Sequence, residues 1–291
     1  MILNASAGNA AATHDRGDEL RTLFDAAGQR AEIITLRPGQ SPVDAARDAS
    51  TRASIVVAAG GDGTVSGVAA GILESPATLA VLPLGTLNHF AKDLGIPLDL
   101  RQAVDVVASG QTARVDAGCV NDRIFINNSS IGVYPDIVQT REELRRAGHR
   151  KFTAMVIATF SVLQRYPGLS ATIDIDGRRR YSRTPFLFVG NNEYATEGLR
   201  IGGRTTLNGG KLYVCLAPRT RTRELPLLLM KALVGRAAGS GAFEAVPATT
   251  LTVAPRSARI RVALDGEVAT MTTPLRYRVL PGALRVVRPR A

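Results

Sequence analysis

The chain has 291 residues, with 36 Lys and Arg against 25 Asp and Glu, a formal charge of +11, and 45% apolar and 21% charged residues. That length supports one large or two ordinary domains with a sizeable core, and the composition excludes a disordered chain. No apolar run reaches the roughly 20 residues of a membrane-spanning helix, since Pro226 and Lys231 interrupt the longest, 225–234.

In chain order, Met1 to Leu3 predict a first strand, and 16–27 a helix with Leu20, Leu23, Phe24 and Ala27 on one face. Residues 31–36 read as a second strand, 42–50 as a helix, and 53–59 as a β-branched buried strand. A helix over 64–73, a strand over 79–83 and a short helix over 87–94 follow. Strands alternating with helices imply a parallel sheet covered on both faces. Residues 1–115 are therefore expected to form an α/β, Rossmann-like nucleotide-binding domain. Beyond Gly110 the segments 112–118, 123–129, 171–175, 180–183, 185–190, 212–217, 248–253 and 259–264 are short and β-rich. They predict an antiparallel sandwich or barrel over 116–278, interrupted by helical patterns at 138–166 and 224–238. A last strand at 284–287, within about 279–291, is a candidate to return to the first domain.

The opening residues have neither the basic start nor the apolar stretch of a secretory signal. Cys119 and Cys215 lack histidines nearby and make no zinc site, so a cytoplasmic setting with reduced thiols is expected. Lysine occurs only at Lys92, Lys151, Lys211 and Lys231, so the basic excess is arginine. It suits anionic partners or reflects compositional bias. With no Trp and few other aromatics, no nucleic-acid partner is expected.

The chemistry concentrates in three glycine-bearing turns. A buried strand runs into Gly60-Gly61-Asp62-Gly63-Thr64-Val65-Ser66-Gly67, where glycines permit close ligand approach and a helix start offers unpaired amides to phosphate. Asp62 would repel phosphate unless a cation lies between them; the alternative is a tight turn that Asp62 caps. A second turn, Leu84-Gly85-Thr86-Leu87-Asn88, offers Thr86 or Asn88 as a helix cap. A third, Asn4-Ala5-Ser6-Ala7-Gly8, follows the first strand. Ligands of open α/β sheets bind at the carboxyl ends of such strands. Neither Walker A nor GxGxxG is present. Asp265-Gly266-Glu267 follows an apolar strand and reads either as an acidic site or as an ordinary Asp-Gly hairpin.

On GGDGT at 60–64, PLGTLN at 83–88 and DGE at 265–267, the sequence resembles the diacylglycerol kinase catalytic family, its bacterial lipid kinases above all. GGDGT alone is shared with NAD kinases and phosphofructokinases; the combination is more specific. The resemblance implies an α/β domain and a β-sandwich domain with ATP in the cleft between them. It implies ATP contacts at Asn4, Ala5, Ser6, Ala7, Gly8, Thr35, Gly60, Gly61, Asp62, Gly63, Thr64, Val65, Ser66, Gly67, Gly85, Thr86 and Asn88. It makes Glu267 the general base, with Asp265 beside it, and places Asp62 at the phosphates through Mg²⁺. Phosphoryl transfer asks for these parts: positioning, charge neutralisation and one proton acceptor.

Two positions depart from the family pattern. His89 stands where the family usually has Asp after Asn, and Gly209-Gly210 stands where members with an accessory magnesium site have Asp-Gly. Basic clusters at 141–151, at Arg178-Arg179-Arg180 and at Arg219, Arg221 and Arg223 beside the apolar 225–234 suit docking on an anionic bilayer, or form a solvated face. The function implied is an ATP-dependent lipid kinase acting on diacylglycerol or a related lipid at a membrane surface. The alternatives are a kinase of a soluble or sphingoid-like acceptor and a non-catalytic nucleotide- or lipid-binding homologue.

Overall fold

The structure, a computed structural model, describes residues 1–4, 10–132, 140, 169–194, 203–216 and 244–290. The chain divides into two compact units, Met1–Ala117 with Pro281–Ala291, and Gly118–Leu280. The helical patterns expected at 138–166 and 224–238, and the basic clusters at 141–151 and around Arg221, lie outside the described residues.

The first unit runs β1 (Ile2–Leu3), α1 (Ala10–Ala26), β2 (Ile34–Thr35), α2 (Pro42–Ser50), β3 (Ile55–Gly60), α3 (Asp62–Ile72), β4 (Thr78–Pro83), α4 (His89–Asp93), α5 (Leu100–Ser109) and into β5 (Gln111–Val120). β2, β1, β3 and β4 lie parallel in that order, with Leu3 opposite both Thr35 and Ala59, and Gly60 opposite Pro83. The apolar runs of β3 and β4 are buried almost throughout, as a sheet covered on both faces requires. Ser41 caps α2 by accepting from the Asp44 amide at 3.3 Å, and Pro42 suits a first helical turn. α5 is absent from the sequence expectation although Asp99 caps it, accepting from Gln102 N at 3.0 Å. Leu100, Ala103, Val104, Val107 and Ala108 recur at helical spacing, with Ala103 and Val104 buried, so the pattern for this helix stands in the sequence and was overlooked.

The second unit continues with β6 (Arg123–Phe125), β7 (Asn128–Gly132), β8 (Leu169–Ile175), β9 (Arg178–Thr184), β10 (Phe186–Asn191), β11 (Leu212–Leu216), β12 (Glu244–Ala248), β13 (Thr250–Pro255), β14 (Arg259–Leu264), β15 (Glu267–Thr272) and β16 (Leu275–Arg288). One antiparallel sheet is ordered β12-β11-β10-β7-β14-β15, and a second carries β16-β13-β8-β9. Their facing sides share one core, including Phe125, Ile131, Ile173, Leu187, Leu251, Val262 and Tyr277. The Phe125 and Tyr277 rings meet edge to face with centroids 6.3 Å apart. This is the expected sandwich.

Two expected strands are each broken in the structure, and a side chain explains each break. Residues 123–129 split into β6 and β7 because the amides of Ile126, Asn127 and Asn128 turn toward Asp265. Residues 248–253 split at Thr249, whose amide and hydroxyl both donate to Asp176. β16 leaves the second unit and finishes in the first, parallel to β4 with Val286 opposite Leu79. No helix of the described residues is long and apolar enough to cross a membrane.

Candidate active site

The parallel registers bring Asn4, at the end of β1, and the loops after β3 and β4 to one edge of the first unit's sheet. Asn4 joins the first loop to the second: its amide donates to Ala59 O at 2.9 Å and its side-chain Nδ2 to Thr64 Oγ1 at 2.9 Å. The second and third loops meet through glycine. A Cβ on Gly85 would lie 2.5 Å from the Gly61 Cα and 2.8 Å from Asn88 Oδ1. A Cβ on Gly60 would lie 2.7 Å from the Thr64 side chain. Side chains at these positions would push the loops apart.

Gly61 occupies the cap position of α3 and supplies no side-chain acceptor. The first turn of this helix, at Asp62, Gly63 and Thr64, is therefore not capped by a side chain at Gly61, and a helix start of this kind favours negative charge. Asp62 is half-buried at the first helical position, with Oδ1 3.5 Å from the Phe90 amide. Asn88 takes the left-handed conformation at φ 51°. Its side chain accepts from Gly85 N at 2.9 Å and donates to Gly85 O at 2.9 Å, closing the turn on itself. Asn88 stands at the cap of α4 but makes no side-chain bond to that helix.

Thr35 is exposed at the end of β2, one strand beyond β1, and Thr86 is exposed on its turn. Ser66 is half-buried. Val65 is buried in the core, and Gly67 backs onto α2, where a Cβ would come 2.5 Å from Pro42 Cγ. Asn4, Gly60, Gly61, Asp62, Gly63, Thr64, Gly85 and Asn88 are thus brought together, while Val65 and Gly67 face packing partners. Ala5, Ser6, Ala7 and Gly8 lie outside the described residues.

Asp62 is the carboxylate of this edge, and His89, exposed at the start of α4, adds no second one. Among the described residues no three His, Cys, Asp or Glu gather as a metal cage. One carboxylate beside a phosphate seat fits Mg²⁺ that arrives with a nucleotide, since Mg²⁺ is commonly held by one or two carboxylates plus substrate phosphates. An accessory site at Gly209 does not fit. Gly209 N donates to Asn192 Oδ1 at 2.8 Å, and a Cβ there would lie 2.8 Å from that same oxygen.

In the second unit, Asp265 and Gly266 take positive φ, 47° and 90°, in a two-residue turn closed by the Leu264–Glu267 pair. The Asp265 carboxylate accepts from Ile126 N at 2.8 Å, Asn127 N at 2.8 Å and Asn128 N at 2.9 Å. Those bonds tie the carboxylate to the 126–128 segment. Glu267 opens β15 with an exposed side chain. Desolvation by surrounding groups pushes its carboxyl above the ordinary range, Asp265 adds to the rise, and Arg123 opposes it. A carboxylate with raised proton affinity suits a general base.

Sequence reasoning missed the polar group on the other side of this segment. Arg204, 6% exposed, donates from Nη1 to Ile126 O at 2.6 Å and from Nη2 to Asn127 Oδ1 at 3.0 Å. Asn191 Nδ2 donates to Ile126 O at 2.9 Å and the Tyr194 hydroxyl to Asn127 O at 3.0 Å. No local pattern distinguishes Arg204 from the many surface arginines.

Comparison with known proteins follows the same division. Residues 1–120 match the family model described as diacylglycerol kinase catalytic domain, and residues 130–288 the one described as YegS C-terminal NAD kinase beta sandwich-like domain. A diacylglycerol kinase of Staphylococcus saprophyticus subsp. saprophyticus is 35% identical over 134 residues, covering 45% of this chain and 44% of that protein. One from Staphylococcus aureus (strain Newman) is 30% identical over 192 residues, covering 65% and 61%. The chain thus spans less than two thirds of the length of these curated relatives. The crystal structure of a diacylglycerol kinase from Bacillus anthracis str. Sterne shares the fold, with a TM-score of 0.73 over 99% of this chain and 95% of that one at 21% identity. Matched in order by both models, with the glycine turns in the first and the Asp265-Gly266-Glu267 turn in the second, the protein belongs to the diacylglycerol kinase catalytic-domain family in the form that carries a YegS-type C-terminal β-sandwich.

Proposed function

We propose that the protein is an ATP-dependent lipid kinase that phosphorylates a hydroxyl of diacylglycerol or a related lipid, acting at the cytoplasmic face of an anionic membrane. The observation that carries this reading is the uncapped glycine start of α3, tied by Asn4–Thr64 and Gly61–Gly85 into a phosphate seat with Asp62 at its mouth. The formal charge of +11 supports an anionic surface as the place of action.

Each residue then has a task. The α3 amides and the Thr64 region hold phosphate oxygens, and Asp62 accepts the cation that accompanies them. Bound Mg²⁺–ATP supplies the transferable phosphoryl group and neutralises its charge. Glu267 takes the proton of the lipid hydroxyl as that oxygen bonds to the γ-phosphorus and the bond to ADP breaks. Asp265 holds the turn from which Glu267 projects.

The test is incubation with labelled ATP, Mg²⁺ and mixed micelles containing diacylglycerol, followed by lipid extraction. Label is expected in phosphatidate. Glu267→Ala is expected to keep nucleotide affinity and to lose about 10²–10⁴-fold in lipid phosphorylation, the usual worth of a general base. Undiminished turnover in that variant removes Glu267 from the chemistry. His89 and Gly209, each in place of a family carboxylate, favour a second reading, a nucleotide-binding homologue without catalysis. Nucleotide binding without label in lipid or in any soluble acceptor would support it.

A further inference from the structure

Residues 126–128 leave the strand ladder between β6 and β7, so their backbone groups need partners other than a neighbouring strand. The amides all point one way, to the Asp265 carboxylate. The acceptors of the same segment receive the side chains of Arg204, Asn191 and Tyr194. A carboxylate thus grips one side of three residues and a guanidinium the other. Asp265 N also donates to Asn128 O at 2.9 Å, so the segment and the 265–267 turn hold each other directly.

Arg204 is itself built in. It is 6% exposed and forms an isolated β-bridge with Tyr194, whose ring packs edge-on against Phe188 at 5.4 Å. Its loop is clipped to the end of β10 by three further bonds: Thr205 N to Glu193 O at 3.0 Å, Asn192 N to Lys211 O at 3.0 Å and Gly209 N to Asn192 Oδ1 at 2.8 Å. A buried guanidinium is costly unless its donors are used, and once used it is a rigid, permanently charged fork that lysine does not reproduce. The accessory metal site that the family pattern would place at Gly209 has no carboxylate here, yet the loop that would carry it is closed by the protein's own donors.

We infer that Arg204 is a positioning residue for Glu267, acting through 126–128 and Asp265. The inference rests on Glu267 being the base. The guanidinium fixes the acceptor side of the segment, the segment's amides fix Asp265, and Asp265 fixes the turn whose next strand begins at Glu267. The charged groups acting on Glu267 are Asp265, which raises its proton affinity, and Arg123, which lowers it. Releasing Asp265 from its place therefore moves the acidic limb of the rate profile to lower pH.

The experiment compares wild type, Arg204→Met, Arg204→Lys and Tyr194→Phe in the full chain. Arg204→Met is expected to lower kcat on micellar diacylglycerol about 10–100-fold, as small misplacement of a reacting group does. KM for ATP should stay unchanged and the acidic limb should move down. Arg204→Lys should recover only part of kcat, because its ammonium, a point donor, does not reproduce the planar fork that reaches Ile126 O and Asn127 Oδ1 from two nitrogens. If Arg204→Met does not fold, Tyr194→Phe, which removes a single donor, carries the test with a smaller kcat loss and the same direction of pH shift. A folded variant with wild-type kcat and wild-type pH profile overturns the inference. Failure of the functional reading is a separate result: wild type would then label no lipid, or Glu267→Ala would keep full turnover, whatever Arg204 does.

Discussion

At the scale of single residues, the Glu267 carboxyl shows how the site works against the stability of its own unit. Desolvation and the neighbouring Asp265 lift its proton affinity above the ordinary value, against Arg123. The folded protein therefore holds that proton more tightly than the unfolded chain does. Stability falls as pH rises from the unfolded value through the folded one, and the whole penalty is present above the folded value. Glu267→Gln, which removes the charge and keeps the shape, is expected to raise the melting temperature at pH 7 while abolishing turnover. Below about pH 4, where both states hold the proton, the gain should vanish. Melts of the two proteins at pH 4 and pH 7 check this, and an equal gain at both values would show that charge is not the cause. Asp265, two residues earlier, has its carboxylate held in place by three amide donors.

At the scale of elements, the packing of α3 on α2 sets how the glycine start of α3 is held. A Cβ on Gly71 would collide with the Val43 carbonyl oxygen and lie 2.8 Å from Ala46 Cβ, and one on Gly67 would reach Pro42. Replacing glycine by alanine inside a helix normally gains about 1 kcal/mol. Here the obstacle is the backbone of α2, which cannot rotate aside, so Gly71→Ala is expected to cost about 1–3 kcal/mol. A lowered urea midpoint with unchanged slope checks the sign. The elements also show what was legible in the sequence. The α/β alternation of the first unit and the glycine turns were readable because the residues that build each are neighbours in the chain. The breaks at 126–128 and Thr249 were not, because Asp265 lies 137–139 residues from its three amide partners and Asp176 lies 73 from Thr249. Arg204, 78 residues from Ile126, was hidden for the same reason. Local pattern located the glycine turns and the turn that carries Glu267, and long-range pairing decided what holds that turn.

At the scale of the whole molecule, the first unit is not finished until the chain returns to it. The last part of β16 places Leu284, Val286 and Val287 in that unit at 1%, 0% and 5% exposure. Gly282 N donates to Asp116 Oδ1 at 2.8 Å, and Arg114 Nη1 donates to Gly282 O at 3.0 Å, fixing where the strand enters. Each of the three apolar side chains is worth about 1.5–3 kcal/mol when buried. Together they are on the order of the entire stability of a small domain, about 5–15 kcal/mol. Ending the chain after Leu280 removes them and leaves β4 with an unpaired edge, while every residue of Gly118–Leu280 remains. Calorimetry of that truncated protein is expected to show the second unit melting near its usual temperature, without a cooperative transition for the first. ATP with Mg²⁺ should then no longer raise any melting temperature, because the proposed phosphate seat belongs to the unit that has lost its last strand. A nucleotide-dependent shift that survives the truncation would mean that β2, β1, β3 and β4 hold the glycine turns in register without it.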